Sequence, residues 1–385
     1  MGKAFPEIKG LMGFGTLRLP LNEENTVDIQ ETNRMVDCFL ENGFNYFDTS
    51  HNYIGGASER AIKTCLTDRY PRNFYILANK LSRAYFNKKE DIRPLFESQL
   101  AICGVDYFDF FMMHSQNRQR YELYQKRGAY EVVPELVKEG KIRHYGISFH
   151  DKADVLDKML TEHPEIEFVQ IQFNYLDYDS ASTESRKVYD MCRKHNKPVF
   201  VMEPLRGGCL VNHLPESARR EFAKLGDDSQ SPATYALRFP GNFEGVELIL
   251  SGGSSLAQVA ENVSAMKDYR PLSETELETV FKVRDLFRDQ DMIACTACRY
   301  CMDQCPKHIL IPDIFACLNN ETSFTSWKWS TEVYYHEVLT TKGNKASDCI
   351  GCGLCEANCP QELPIRDFLK VAVREFEEKE REKIK

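Results

Sequence analysis

Eight of the 14 cysteines in this chain fall in two short runs near the C-terminus. The first reads Cys295-x2-Cys298-x2-Cys301-x3-Cys305-Pro306, the second Cys349-x2-Cys352-x2-Cys355-x3-Cys359-Pro360. Three thiolates so closely spaced wrap one corner of an iron–sulfur cube, and the fourth ligand must come from further away. A structural zinc site instead pairs two separated two-cysteine knuckles. Four cysteines and a proline inside one run, twice over, fit two [4Fe–4S] clusters better than zinc. The other six, Cys38, Cys65, Cys103, Cys192, Cys209 and Cys317, are scattered singly, as inert small hydrophobes usually are. A second group of chemistry-bearing residues lies upstream, at the ends of apolar runs. Asp48 and Tyr53 stand in Asp48-Thr49-Ser50-His51-Asn52-Tyr53, Lys80 in Ala78-Asn79-Lys80, and His114 in Met112-Met113-His114.

The elements that must position these residues can be read from the alternation of the sequence. Strands are predicted at 11–17, 45–48, 75–79, 108–113, 144–148, 169–173, 199–203 and 245–250. Amphipathic helical patterns lie between them at 31–42, 58–67, 92–103, 132–139, 151–160, 183–195 and 256–266. Near-continuous apolar strands separated by helices imply a parallel sheet covered on both faces. Eight of them predict an α/β fold, a (β/α)8 TIM barrel over residues 1–270, with strand-end residues facing a common mouth. Past Tyr269 the composition shifts. Ser273 and Glu276 form a capping box at the head of the charged helical segment 273–290. The cysteine runs follow in a small, mostly helical domain over 271–385. Short helical patterns are predicted at 313–318 and 331–339, and a solvated, frayed helix in the charged tail 374–385.

The formal net charge is −9, from 58 acidic and 49 basic residues, with no long Lys/Arg cluster, which argues against nucleic acid as a partner. No apolar run approaches the roughly 20 residues that span a bilayer. The segment MGKAFPEIKG lacks the apolar core of a signal peptide, and Pro6 stands where a myristoylation signal has Ser or Thr. A cytoplasmic location away from membranes is expected, and no disulfide framework.

Over residues 5–266 the sequence resembles the aldo-keto reductases. Their catalytic Asp, Tyr, Lys and His fall on Asp48, Tyr53, Lys80 and His114, in order, and Gly55-Gly56-Ala57-Ser58-Glu59 resembles the family's small-residue turn and Ser-Glu. The residue types suit carbonyl reduction. A free tyrosine, with a pKa of about 10, is a poor acid at neutral pH, and a neighbouring ammonium moves it toward the working range. Lys80 can supply that ammonium, Asp48 can hold it, and His114 can donate a hydrogen bond to the substrate oxygen. The resemblance also assigns Ser148 and Gln170 to the nicotinamide carboxamide, with Asn174 nearby. Met202 takes the place of a stacking aromatic, and Arg206-Gly207 lies where a pyrophosphate would be cradled. Gly252 and Gln258 stand where NADPH-specific relatives carry Lys and Arg, and Asn262 follows. The absence of those cations weakens the case for NADPH and leaves NADH, or a nucleotide held differently.

The cysteine runs resemble those of ferredoxins, and their wide separation resembles the α-helical ferredoxin domains of larger redox enzymes. By that resemblance Cys295, Cys298, Cys301 and Cys359 hold one cluster, and Cys349, Cys352, Cys355 and Cys305 the other. The combination implies an oxidoreductase acting on a small carbonyl or alcohol, with clusters relaying electrons to or from a ferredoxin or flavodoxin. Hydride moves electrons in pairs and clusters move them singly, so something must convert. A flavin does this well; no motif announces one, although a barrel mouth can accommodate FMN. Two other readings stand beside this one: ordinary NAD(P)H turnover with structural or redox-sensing clusters, and a non-catalytic nucleotide sensor. The segment 115–128, with Arg118, Arg120, Tyr121 and Tyr124, is expected to be a solvated loop or to line the pocket for an anionic or sugar-like substrate.

Overall fold

The computed structural model describes residues 3–180, 183–212, 214–226, 230–288, 293–323, 334–340 and 343–378. Eight strands run parallel and close in sequence order: β1 (Met12–Gly15), β2 (Tyr46–Asp48), β3 (Ile76–Leu81), β4 (Phe108–Gln116), β5 (Ile142–Phe149), β6 (Phe168–Gln172), β7 (Val199–Met202) and β8 (Val246–Gly252). This is the predicted TIM barrel, with helices on its outside. The helix Ile29–Glu41 shows how the sequence builds that layer. Asp28 accepts from the Glu31 amide at 2.9 Å as N-cap, and Thr32, Met35, Val36 and Phe39 recur on its buried face.

Because side chains alternate across a strand, every second residue of each strand enters the barrel. Tyr46, Ile76, Ala78, Phe110, Met112, Phe168, Phe200, Leu248 and Leu250 fill the interior, and Phe5 packs edge-on against Phe110, Phe168 and Phe200. The same files then turn polar. Tyr46 is followed two residues on by Asp48, Ala78 by Lys80, Met112 by His114, Phe168 by Gln170, and Phe200 by Met202. The periodicity that packs the core therefore delivers the chemistry to one end. The seam between β1 and β8 sets Gly15 beside Gly252, where a Cβ on Gly252 would meet the Gly15 carbonyl oxygen at 2.7 Å.

The segment after His114 is not a solvated loop. β4 continues to Gln116 through an irregularity at Ser115 (φ 52°), and a helix, Arg118–Lys126, follows with Asn117 as N-cap. Tyr121 and Tyr124, three residues apart on one helical face, are buried, and Tyr124 donates to the Leu81 carbonyl at 2.7 Å. Arg118 is held by Asp154 at 3.0 Å and Arg120 by the Ser115 carbonyl at 2.9 Å. The tyrosines are core because a single face of a short helix covers the strand ends.

The chain divides into two compact units, Met1–Leu205 with Asp227–Glu278, and Arg206–Gly226 with Thr279–Lys385. The first contains the barrel. The helix Glu274–Arg288, in which the division between the units falls after Glu278, carries the reciprocal Ser273–Glu276 cap and a two-pronged Arg270–Glu276 ion pair at 2.7 Å. The second is built on Ile309, Ile311, Ile314, Phe315, Ile365 and Leu369, contributed in part by the helices Ile311–Ser323 and Ile365–Ala372. The pattern at 313–318 lies inside the first of these. Of that predicted at 331–339, residues 334–339 are helical and 331–333 lie outside the described residues, as do 289–290 and 379–385. Among the described residues no helix is long and apolar enough to cross a membrane.

Candidate active site

Lys80 is fully buried, its ammonium 2.5 Å from Asp48 Oδ1 and 2.9 Å from the Thr49 carbonyl. Burial works against charge on both partners, drawing Lys80 below the usual lysine range and Asp48 above the usual carboxylate range. The attraction and hydrogen bond between them oppose both shifts. The second oxygen of Asp48 is buried without a hydrogen bond. Tyr53, in the tight turn Tyr53–Gly56 beyond β2, places its ring centroid 4.8 Å from Lys80 Nζ and 5.8 Å from the His114 ring, which it meets edge to face. Burial, reinforced by the charges of Lys80 and Arg120, pushes the His114 imidazole well below its ordinary pKa, so it is neutral at physiological pH. The structure thus brings Asp48, Tyr53, Lys80 and His114 into one group at the mouth.

The positions matched to a nucleotide are less uniform. Ser148 accepts from the Ser115 amide at 2.7 Å. Gln170 is buried, with its amide nitrogen 3.5 Å from the Met202 sulfur and its oxygen without a hydrogen-bond partner. Asn174 uses both ends of its amide, on its own loop and on the residue after β7. It donates to Asp177 and to the Glu203 carbonyl, and accepts from the Leu176 and Asp177 amides. Gln258 accepts from the Ser254 amide at 2.8 Å, and Asn262 donates to Ser251 at 3.1 Å. Arg206 and Gly207 belong to the second unit, where the space of a Cβ on Gly207 is filled by the Thr296 carbonyl.

Several site residues escaped the sequence reading. Ser50 and Ser82 contact His114; each lies two residues beyond a tetrad member, just past the end of β2 or β3, which was the available signal. Glu203, at φ 56°, pairs with Arg18 at 2.9 Å. Glu31 reaches from its helix to accept the Leu256 amide at 2.7 Å, setting a carboxylate at the head of the helix Leu256–Lys267. No local pattern marks these pairs, whose partners are far apart in sequence.

In the second unit the two cysteine runs adopt one backbone path. Positive φ occurs at Ala297, Arg299 and His308 in the first and at the matching Gly351, Gly353 and Glu362 in the second. A four-residue helix follows in each, Tyr300–Asp303 and Leu354–Ala357. Cys301 is buried, and burial together with Cys298 and Cys295 of its own run and Cys359 and Cys355 of the second pushes its thiol up. Cys352 is exposed. A donor set of thiols grouped this way suits a cluster that takes ligands from both runs. Among the described residues no three Cys, His, Asp or Glu side chains gather tightly enough to hold a single ion.

A parallel barrel with a buried Asp–Lys pair beneath a tyrosine, joined to a domain of doubled thiolate runs, defines a barrel oxidoreductase with an iron–sulfur appendage. The chain belongs to the aldo/keto reductase family, which it matches over residues 11–285, and residues 294–364 match the 4Fe-4S dicluster domain. Among solved structures it is similar to an aldo/keto reductase from Klebsiella pneumoniae in complex with NADP and acetate (TM-score 0.60, 19% identity, covering 71% of this chain and 91% of that one). A structure of an aldo-keto reductase from Klebsiella pneumoniae in complex with NADPH gives a TM-score of 0.58 at 20% identity over 71% and 90%. The holo form of an aldo-keto reductase from Bacillus halodurans gives 0.56 at 25% identity over 71% and 91%.

Proposed function

We propose that the barrel reduces a small carbonyl compound, or oxidises the corresponding alcohol, with Tyr53 giving or taking the proton and His114 orienting the substrate oxygen. The observation that carries this reading is the buried Lys80–Asp48 pair 4.8 Å from the Tyr53 ring. A buried ammonium is costly, and its use here is to stabilise phenolate as charge develops. A site that only senses nucleotide has no need of it.

Ser148, Gln170, Met202, Gln258 and Asn262 are the residues that would hold a nicotinamide nucleotide, and the unpartnered Gln170 oxygen suits a carboxamide N–H. Arg206 and Gly207, also matched to the nucleotide, belong to the second unit. Bound there, the nucleotide supplies or accepts the hydride. Glu31 at the head of the helix Leu256–Lys267 would face a 2′-phosphate with like charge, which favours NADH. The eight cysteines hold two clusters, and these supply one-electron transfer to or from a protein partner of ferredoxin or flavodoxin type.

The test compares the cluster-loaded chain with Tyr53→Phe under anaerobic conditions, using NADH or NADPH and a panel of aldehydes and ketones. Turnover should fall at least ~100-fold with nucleotide affinity unchanged; equal turnover by both proteins refutes the reading. In the same cuvette, bleaching of the broad iron–sulfur absorption by nucleotide supports the relay. Clusters reducible by dithionite but not by nucleotide would instead be structural or sensing.

A further inference from the structure

Glu59 is fully buried and takes no part in the chemistry proposed above. Among the described residues its one ion-pair contact is a histidine, His51, whose Nδ1 lies 2.6 Å from Glu59 Oε2. A buried carboxylate is costly unless hydrogen bonds surround it, so its other partners matter. Glu59 Oε1 accepts from Asn79 Nδ2 at 2.8 Å and from Gln99 Nε2 at 3.1 Å. These partners sit on the two pieces of chain that carry the phenol and the ammonium. His51 is two residues before Tyr53. Asn79 precedes Lys80 on β3, and Gln99 Nε2 is also 3.1 Å from the Lys80 carbonyl oxygen. The turn that holds Tyr53 needs such support. Ile54, a β-branched residue, stands at φ 51°, followed by Gly55 at 58° and Gly56 at 83°. A left-handed conformation strains a side chain of that kind and persists only where surrounding contacts fix it. The helix Ala57–Ile62 leaves this turn directly, and Glu59, in its first turn, reaches back to His51 and closes the loop around Tyr53. The same carboxylate fastens that loop to β3 through Asn79.

We propose that Glu59 is a positioning residue that sets the separation of the Tyr53 phenol from the Lys80 ammonium, acting through His51 on one side and through Asn79 and Gln99 on the other. This rests on the acid–base role proposed for Tyr53 and adds the group that holds it in register with Lys80, 4.8 Å from ring to ammonium. The attraction between phenolate and ammonium weakens with distance, so slack in this tie lets the phenol return toward its ordinary, higher pKa. The negative charge of Glu59 has the opposite sign of effect, because a nearby carboxylate disfavours phenolate. Position and charge are therefore separable by substitutions that remove the charge with and without the hydrogen bonds.

The test is fluorine NMR of the full chain labelled with 3-fluorotyrosine, clusters oxidised, with the Tyr53 signal identified by its loss in Tyr53→Phe. The change of that signal with pH follows ionisation of the phenol. Glu59→Gln and Glu59→Leu both remove the charge, and only the glutamine keeps an oxygen for Asn79 and Gln99. Tyr53 should ionise ~1 pH unit higher in Glu59→Leu than in Glu59→Gln. His51→Gln and His51→Leu, which likewise differ in hydrogen bonding and not in charge, should fall in the same order, and they carry the test if Glu59→Leu fails to fold. Equal titration within each pair overturns the proposal. The readout needs no turnover. If Tyr53→Phe keeps its turnover while the difference within the pairs is present, the acid–base reading falls and the positioning by Glu59 stands.

Discussion

A fully buried ammonium survives at position 80 because Asp48 and the Thr49 carbonyl surround it. Lys80→Met removes that partner and strands the Asp48 carboxylate, so it should cost roughly 3–5 kcal/mol of stability and at least ~100-fold in turnover. Replacing both residues, as Lys80→Met with Asp48→Leu, should restore the unfolding midpoint while leaving turnover lost. Recovery of activity in the double variant would show that the pair is structural. His114 gives a second, pH-dependent expectation. Its folded pKa lies well below the unfolded value near 6.5, so below that pH the unfolded chain takes up a proton that the native site refuses. The contribution is neutral above about pH 6.5 and destabilises progressively as pH falls, by about 1.4 kcal/mol at one unit below. Urea unfolding at pH 7.5 and 5.5 should show a smaller acid loss in His114→Gln than in the parent. An identical loss in both would place the acid sensitivity elsewhere.

The two cysteine runs fold alike but not with equal ease. At the matching turn positions the second run has Gly351 and Gly353, whereas the first places Ala297 and Arg299 at φ 53° and 65°. A left-handed conformation strains a residue with a Cβ and not a glycine. Ala297→Gly should therefore stabilise the second unit by about 1 kcal/mol, read from the thermal midpoint of its visible cluster absorption. A lowered midpoint would show that the Ala297 methyl packs against something worth more than the strain. On the barrel side, the head of the helix Leu256–Lys267 is closed by the Glu31 carboxylate. Glu31→Gln should shift the ratio of NADPH to NADH affinity by ~3-fold toward NADPH, the size of a charge at a helix end. Fluorescence titration of both nucleotides checks it, and an unchanged ratio would remove Glu31 from nucleotide selection.

At the scale of the whole molecule, the second unit recruits residues 206–226, which leave the barrel just after β7. Gly207, at φ 66°, lies so close to the Thr296 carbonyl that a Cβ there would overlap it, and Thr296 sits between the first two cysteines of its run. Gly207→Ala should consequently lower iron per chain after anaerobic reconstitution. Full iron content would show that the run can shift aside at little cost. The assignment of residues 206–226 to the second unit leaves no trace in composition, which changes only past Tyr269.

By itself, the sequence determined the periodic features. Alternating apolar strands and helices specified the eight-stranded barrel, because period 2 and period 3.6 are local properties of the chain. The same period put Asp48, Lys80, His114 and Gln170 at the top of the files that fill the core. The repeated cysteine spacing marked two runs that fold alike. Only the tertiary structure decided what faces what. It turned 118–126 into a helix with two core tyrosines, since their burial depends on strand ends distant in sequence. It drew Glu31 to Leu256, Arg18 to Glu203 and Thr296 to Gly207, contacts between segments with no shared pattern. It also set two serine hydroxyls and an asparagine around His114, and hydrogen-bond direction is fixed by such three-dimensional neighbours rather than by residue type.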